Sequence, residues 1–170
     1  LSYMHGRCIV HQDIKPSNVL VSSLPPDVAS MHLIYVQVTK TYSAHVCDLG
    51  VARIQEKLAT IRTSKGTGAG TIPYKAPEMF TSAKRSTPVD MYSFGCLLIE
   101  LLTERKVWGD LDGCQITAKL CGSFQTQPEQ PSVTDVPNEY KLLCTQLTRI
   151  VPSERPTALL ALQQLSQIDK

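Results

Sequence analysis

The stretch STPVDMYSFGCLLIELLT, residues 86–103, most constrains how this chain can fold. Ser86 or Thr87 can cap a helix whose first residue is Pro88, a position where the missing N–H costs little. Apolar residues then recur at three- and four-residue spacing, with further apolar residues off that face: Met91, Phe94, Leu97, Leu98, Leu101 and Leu102, then Val89 and Ile99. A helix that is apolar on most of its sides belongs inside a core. The pattern therefore predicts a central, buried helix.

The remainder of the second half is predicted to be helices joined by proline- and glycine-bearing turns. Helical periods occur in GDLDGCQITAKLCG, PNEYKLLCTQLTRI and RPTALLALQQLSQI. In the first half, alternation predicts a short strand over Leu33–Val38, and AHVCDLG, residues 44–50, predicts another. The first residues are predicted to be the end of a helix, with His5 in its last turn and Gly6 as the residue that terminates it. Residues 51–71 show no period and predict a loop.

Composition limits the class of protein more than its function. The chain has 170 residues, 42% of them hydrophobic, which is enough for one core. Seventeen basic against fifteen acidic residues are too balanced to favour nucleic acid or an anionic membrane as the main partner. The six cysteines form no C-x-x-C pair, which favours reduced, partly buried thiols and argues against zinc. The longest apolar run, CLLIELL, contains Glu100 and is too short to span a bilayer.

The segment IVHQDIKPSNVLV, residues 9–21, places polar groups between two apolar runs. Its polar members include His11, Asp13, Lys15 and Asn18. Apolar flanks anchor a segment on both sides, which fixes the polar groups in place. Alone, such a pattern is more often solvated surface than a catalytic site. Fixed polar groups of mixed charge nevertheless indicate chemistry.

Downstream motifs decide between these two interpretations. HQDIKPSN is followed in order by CDLG, GTIPYKAPE, VDMYSFG and, near the end, ERPT. With this set the chain resembles the C-terminal lobe of the protein kinase family. The DIKPSN and GTIPYKAPE forms resemble serine/threonine kinases, of the tyrosine-kinase-like group. The resemblance implies a mainly α fold with short strands beside the active site, residues 1–170 being a partial kinase domain and residues 48–78 its activation segment.

The chemistry of the motif residues fits phosphoryl transfer, with ATP and Mg²⁺ as the implied cofactors. Asp13 can orient the acceptor hydroxyl of a protein Ser or Thr and accept its proton. Lys15 can reach the γ-phosphate. Asn18 and Asp48 offer hard oxygen ligands, and Mg²⁺ takes only one or two from protein beside phosphate and water. Alternatively, Asp48 only caps a turn at Gly50.

The resemblance adds roles elsewhere in the chain. Leu20 is expected to form the apolar floor under the adenine, and Thr71 to hydrogen-bond near Asp13 and Lys15 beside the substrate backbone. Asp90 is expected to accept backbone N–H bonds from the loop around His11.

Two further expectations are structural. Glu78 of APE is expected to pair with Arg155 of ERPT in a buried salt bridge. His11 is interpreted as a core histidine rather than a base.

The sequence departs from the family pattern at several places. Gln12 stands where an Arg normally precedes the catalytic Asp, so it cannot pair with a phosphorylated loop residue. Leu49 replaces the usual Phe. Residues 23–43 lengthen the interval between Asn18 and Asp48. They are either a real surface hairpin or a gene-model artefact; we favour an artefact or a lineage-specific insertion, because LIYVQV has no obvious partner strand.

No glycine-rich loop, strand lysine or partner Glu stands before Leu1, so the N-terminal lobe is absent from this sequence. We therefore expect the 170 residues alone to bind ATP weakly and to transfer phosphate negligibly, and a longer parent to be active. The alternative is a pseudokinase or binding module. The presence of all four polar motif residues argues against it: Asp13, Lys15, Asn18 and Asp48. A location in the cytoplasm, or on the cytosolic side of a membrane receptor, is expected.

Overall fold

The computed structural model describes residues 1–22, 34–37, 43–54, 71–81, 85–122 and 127–168, with the backbone alone at 34–37 and 53. The helices are α1 Ser2–Gly6, α2 Glu78–Thr81, α3 Pro88–Thr103, α4 Gly113–Cys121, α5 Asn138–Leu147 and α6 Ala158–Ile168. The strands are β1 Ile9–Val10, β2 Val19–Ser22, β3 Ile34–Gln37, β4 Ser43–Val46 and β5 Arg53–Ile54. Single 3₁₀ turns lie at Pro16–Asn18, Leu49–Val51, Ile72–Tyr74 and Pro152–Glu154.

The helices expected from the sequence all form. The first helix keeps His5 in its last turn, although Gly6 is still helical and Arg7 caps the end. Pro88 is the first residue of α3, as predicted. The expected side-chain cap is absent because Thr87 has helical dihedrals of −53° and −30° and makes no capping hydrogen bond.

The central helix α3 contributes to three apolar clusters, and so lies at the middle of the fold. Tyr92, Cys96 and Ile99 belong to a cluster with α4 and α5. Met91 packs against Leu143, Leu147, Ala158 and Ala161 of α5 and α6. Leu97 packs with Ile14 and Val46 beside the strands.

One detail of the predicted core face needs correction. Leu101 is 66% exposed, whereas Val89 and Ile99 are buried. The helix is enclosed along its first three turns and emerges into solvent near its carboxyl end, so the spacing alone overestimates burial there.

The helices α3 and α5 approach most closely at Gly95. A Cβ atom at this position would lie 2.7 Å from the Leu147 Cβ and 2.9 Å from the Thr148 Cγ2. Those distances are shorter than side chains tolerate, so the crossing requires glycine.

Three strands form an antiparallel sheet in the order β2-β4-β3, with Val19 and Ile34 both paired to Val46. Both predicted strands form, over Ile34–Gln37 and Ser43–Val46. The prediction that the second strand continues to Gly50 is wrong, because Asp48 is left-handed and a 3₁₀ turn begins at Leu49. The expectation that LIYVQV lacks a partner is wrong, because β4 pairs with it; alternation marks a strand but does not identify its neighbour. Residues 23–33 and 38–42 lie outside the described residues, so their interpretation as an insertion stays a prediction.

A second, two-stranded sheet joins β1 to β5, with Ile9 opposite Ile54 and Val10 opposite Arg53. The prediction of a loop from residue 51 is therefore wrong at residues 53–54, because two paired residues are too few to show a period. The remainder of that loop, residues 55–70, lies outside the described residues. Within the described ranges, no helix is long and apolar enough to cross a membrane.

Candidate active site

Asp90, in the first turn of α3, holds the loop after β1. Its carboxylate is fully buried. The Oδ2 atom accepts the His11 N–H at 2.8 Å and the Oδ1 atom accepts the Gln12 N–H at 2.7 Å. The expected contact is therefore present. It fixes Gln12 in a left-handed conformation, with φ of 69°, which a non-glycine residue seldom adopts.

His5 makes a third contact with the same carboxylate, which sequence reasoning missed. Its Nε2 atom lies 2.9 Å from the Asp90 Oδ2, and the His5 side chain is 10% exposed. In the sequence His5 stood out only as a helix-end residue. No spacing rule links it to a position 85 residues away.

His11 is a core histidine, as expected, since its side chain is completely buried. The Nδ1 atom accepts the Asp13 N–H at 3.3 Å, which requires the proton to sit on Nε2. Nε2 then donates to the Cys47 carbonyl at 3.0 Å. His11 thus ties the loop to the residue before Asp48.

Asp13, Lys15 and Thr71 form a connected cluster. The Lys15 Nζ lies 2.7 Å from the Asp13 Oδ2 and donates to the Thr71 Oγ1 at 3.1 Å. Both charged side chains are about a quarter exposed or less, at 24% for Asp13 and 21% for Lys15, so they are partly shielded and still open to a ligand. Thr71 has φ of 72°, which is unusual for a β-branched residue.

Asn18 completes this cluster from the Pro16–Asn18 turn. The Nδ2 atom donates to the Asp13 carbonyl at 2.8 Å and to the Asp13 Oδ2 at 3.1 Å. Both amide protons therefore point toward Asp13, and the amide oxygen points away from it. The residue itself is 5% exposed.

Asp48 and Asn18 lie at the same end of the three-stranded sheet, since Asn18 precedes β2 and Asp48 follows β4. Val19 pairs with Val46, and the Cys47 N–H donates to the Asn18 carbonyl at 2.9 Å. Asp48 is exposed, has φ of 64°, and accepts the Gly50 N–H through Oδ1 at 3.2 Å. The turn-capping contact considered from sequence is thus present, and it uses one carboxylate oxygen.

The Asn18 and Asp48 oxygens suit Mg²⁺, a hard cation that needs few protein ligands beside phosphate and water. Among the residues that the structure describes, no group of three His, Cys, Asp or Glu side chains could hold a metal. The donor chemistry is thus compatible with magnesium held jointly with a phosphate.

Arg155 and Glu78 form the expected salt bridge. Nη1 and Nη2 donate to the two Glu78 oxygens at 2.6 and 2.8 Å. The remaining N–H groups donate to the carbonyls of Pro88, Arg149 and Ile150. The arginine side chain has no exposed surface, and all five of its donors are satisfied.

The residues just after Thr71 are tied to α3 and to the segment before α4, a network that sequence reasoning did not identify. The Trp108 Nε1 donates to the Pro73 carbonyl at 3.0 Å, and the Ser93 Oγ donates to the Tyr74 carbonyl at 2.7 Å. The Tyr74 hydroxyl donates to the Glu100 Oε2 at 2.5 Å. Burial, and then the Glu100 carboxylate, raise the Tyr74 pKa well above its usual value.

Comparison with known families adds a decisive observation: residues 1–165 match the model of the protein kinase domain. The chain belongs to the protein kinase family.

Its curated relatives are much longer proteins. Serine/threonine-protein kinase CTR1 of Arabidopsis thaliana is 35% identical over 122 residues, which make up 71% of this chain and 12% of that protein. Mitogen-activated protein kinase kinase kinase 15 of Mus musculus is 32% identical over 174 residues, 100% of this chain and 12% of its own length. A probable serine/threonine-protein kinase of Dictyostelium discoideum is 28% identical over 171 residues, 98% of this chain and 24% of its length. The chain thus spans between 12% and 24% of these relatives.

Gln12 of this kinase chain makes a neutral contact. Its Nε2 donates to the Val51 carbonyl at 3.2 Å, so the side chain reaches the segment just after Asp48. Together with the β1–β5 pairing, this contact joins that segment to the loop after β1 without an ion pair.

Leu20 lies on β2 opposite His45. Its side chain is 54% exposed, and its neighbour Val21 is 67% exposed. Exposed apolar side chains beside Asn18 are compatible with a contact to a flat apolar ligand, and the adenine role stays a prediction.

Proposed function

We propose that this chain is the C-terminal lobe of a serine/threonine protein kinase that transfers the γ-phosphate of ATP to a protein hydroxyl. The observation that carries the proposal is the cluster in which Lys15 bridges Asp13 and Thr71 while Asn18 donates to Asp13. Residues 48–78 would be the activation segment, and residues 23–43 an insertion.

Each residue of the cluster has a task that its geometry supports. Asp13, with the Oδ2 held by Lys15 and Asn18, orients the acceptor hydroxyl and takes its proton. The Lys15 ammonium, already near Thr71, places positive charge where the transferred phosphoryl group passes. Thr71 positions Lys15 beside the substrate backbone.

Asn18 and Asp48 would hold Mg²⁺, and Leu20 would contact the adenine of ATP. When bound, the metal and nucleotide supply the phosphoryl group and the cationic charge that neutralises its oxygens. Positioning accounts for most of what the protein contributes in such a reaction. The substrate would be a protein with an accessible Ser or Thr.

A cytosolic location, in the cytoplasm or on the cytosolic side of a membrane receptor, is also proposed. All six cysteines are free, which is compatible with a reducing compartment.

The decisive experiment measures phosphate transfer by the full-length parent to a general protein acceptor. Asp13→Asn keeps the shape of the side chain and removes the base, so we expect the rate to fall on the order of 100- to 10,000-fold. Asp110→Asn is the matched control, because its side chain is fully exposed at 101% and distant in sequence from the cluster. Unchanged transfer by Asp13→Asn would refute the assigned role.

A second experiment concerns the 170 residues alone. We expect calorimetric titration with MgATP to give weak binding, because Leu20, the proposed adenine contact, remains 54% exposed among the described residues. Micromolar affinity would contradict this expectation.

A further inference from the structure

A cavity of about 380 Å³ lies on the side of the fold where α3 ends. Its lining comes from four segments: the end of α3, the turn at residues 105–109, α4 and residues 129–135. Core residues form part of this lining, since Ile99 is 2% exposed and Val107 is 7% exposed. Binding sites for small molecules have this size, and they combine an apolar surface with a few polar groups.

The walls of the cavity are tied to one another. The Arg105 Nη1 lies 2.7 Å from the Asp135 Oδ2, and the Lys119 Nζ lies 2.7 Å from the Glu129 Oε2. The Glu129 N–H also donates to the Lys119 carbonyl at 2.8 Å. The shape of the cavity therefore exists before a ligand binds, which lowers the cost of binding.

The charges of the lining leave one cation without a close partner. Three bases and two acids line the cavity, and each acid lies within 2.7 Å of one of the bases. The third base is Lys106, whose nearest acid in the described part of the chain is Asp110, at 3.6 Å and with a fully exposed side chain. Such an exposed pair contributes little to stability. The Lys106 ammonium can thus engage a ligand at small cost.

We propose that this cavity binds a small carboxylate with an apolar body. The body packs against Ile99 and Val107, and the carboxylate meets the Lys106 ammonium. A neutral apolar compound would leave that ammonium unused. A dianion would have to compete with Glu129 or Asp135 for a base that is already paired. The charge and the apolar surface of the lining therefore favour a monoanion.

Two residues of the lining also hold the 3₁₀ turn that contains Tyr74. The Val107 N–H donates to the Glu100 Oε1 at 2.9 Å, and the Glu100 Oε2 accepts the Tyr74 hydroxyl. The Trp108 Nε1 donates to the Pro73 carbonyl at 3.0 Å. The cavity is therefore joined through hydrogen bonds to the segment that follows the candidate active site in the sequence.

The test is equilibrium dialysis of the full-length protein against 1-naphthylacetate, an apolar body with one carboxylate. We expect saturable binding with a Kd of roughly 0.1–1 mM, as for a ligand of this size. The amide 1-naphthylacetamide has nearly the same shape and no charge. It should bind about 5-fold more weakly, because an ion pair at an exposed ammonium has an effect of that size.

A pair of variants assigns this difference to Lys106. Lys106→Met keeps most of the stem and removes the ammonium, so the carboxylate and the amide should bind to it equally well. Lys141→Met is the matched control, because Lys141 lies on α5 and outside the lining; it should keep the 5-fold preference for the carboxylate. Binding of the uncharged amide to both variants shows that the cavity itself is intact.

Hydrogen exchange locates the ligand. At saturation with 1-naphthylacetate we expect slower exchange of the Val107 and Gly109 N–H groups, which donate to the Glu100 Oε1 and to the Lys106 carbonyl. None of these measurements requires phosphate transfer. Absence of saturable binding in the millimolar range, equal affinity of the unaltered protein for the two ligands, or a preference that survives Lys106→Met overturns the proposal. Protection confined to segments outside the lining overturns it as well.

Discussion

At the scale of single residues, Asp90 brings three contacts together on one buried carboxylate. One fully buried carboxylate meets the His11 and Gln12 N–H groups and the His5 ring. It also lies in the first turn of α3, where the helix dipole favours negative charge. These donors stabilise the buried negative charge. In turn, the carboxylate holds the backbone of the loop that carries Asp13.

Asp90→Asn tests this dependence. The amide keeps one acceptor oxygen and turns an NH₂ group toward a backbone donor, so at least one buried N–H loses its partner. We expect unfolding to become easier by about 3 kcal/mol, as for an unsatisfied buried group. Urea denaturation of the variant and of Asp135→Asn, an exposed position at 62%, provides the comparison. Equal midpoints for the two variants would contradict the expectation.

Side-chain contacts could be predicted where a motif carried them. The pairs Lys15–Thr71 and Glu78–Arg155, and the contact of Asp90 with the His11 backbone, lie where the resemblance placed them. His5 and the Tyr74–Glu100 pair were missed because neither has a motif of its own. Their roles come from the approach of distant segments, which single-sequence patterns do not encode.

At the scale of elements, Arg155 connects three segments of the fold. Its guanidinium joins Glu78 of α2, the Pro88 carbonyl at the start of α3, and the carbonyls of Arg149 and Ile150 after α5. The group also lies 4.9 Å from the centre of the Tyr92 ring. A planar fork with five donors suits this environment, and an ammonium does not.

Arg155→Lys is therefore expected to be a severe change. Lysine offers three donors in place of five and cannot bind both Glu78 oxygens in parallel, so we expect a loss of about 2–4 kcal/mol of stability. Arg149→Lys is the matched control, because the Arg149–Glu154 pair is nearly half exposed and should change stability by less than about 1 kcal/mol. Similar denaturation midpoints for the two variants would contradict the structural role of Arg155.

Elements were predictable in proportion to their length. The sixteen residues of α3 repeat an apolar period several times, whereas β1 and β5 have two residues each and repeat nothing. The alternation in β3 was visible in the sequence, but its pairing with β4 is a relation between two segments. The elements that show no hydrophobic period in the sequence are therefore determined by tertiary contacts.

At the scale of the whole molecule, the core around α3 buries several weak acids. Burial raises the pKa of the Cys144 thiol to about 11, and it raises the pKa values of Cys96, Tyr92 and Tyr74 further above their usual range. The protonated forms are favoured in the folded state. The folded chain therefore binds more protons than the unfolded chain at high pH.

The stability of the chain should consequently fall in alkaline solution. These groups stabilise the folded state fully below the unfolded thiol pKa of 9.0, and this stabilisation is lost as the pH rises through their folded pKa values. Urea midpoints measured at pH 7, 9 and 10.5 should stay similar between the first two and drop at the third. Replacing Cys96 and Cys144 with Ala should reduce the drop. A urea midpoint that is independent of pH would contradict the burial of these thiols and tyrosines.

Thiol chemistry offers another measurement of the same core. Cys8, Cys114 and Cys121 are exposed, whereas Cys96 and Cys144 are buried. A disulfide reagent at pH 8 should modify the exposed thiols quickly and the buried ones only after unfolding. Rapid modification of Cys96 in the folded chain would contradict the packing described for α3.

Gly95 sets a limit on how this fold can vary. Because α3 and α5 leave room there for a hydrogen atom and nothing larger, a library randomised at codon 95 and selected for folded protein should return glycine almost alone. Codon 101, six residues along the same helix, should return a broad mixture, since its leucine is 66% exposed. The tolerance of a core helix to mutation is thus governed by how closely the neighbouring backbone approaches.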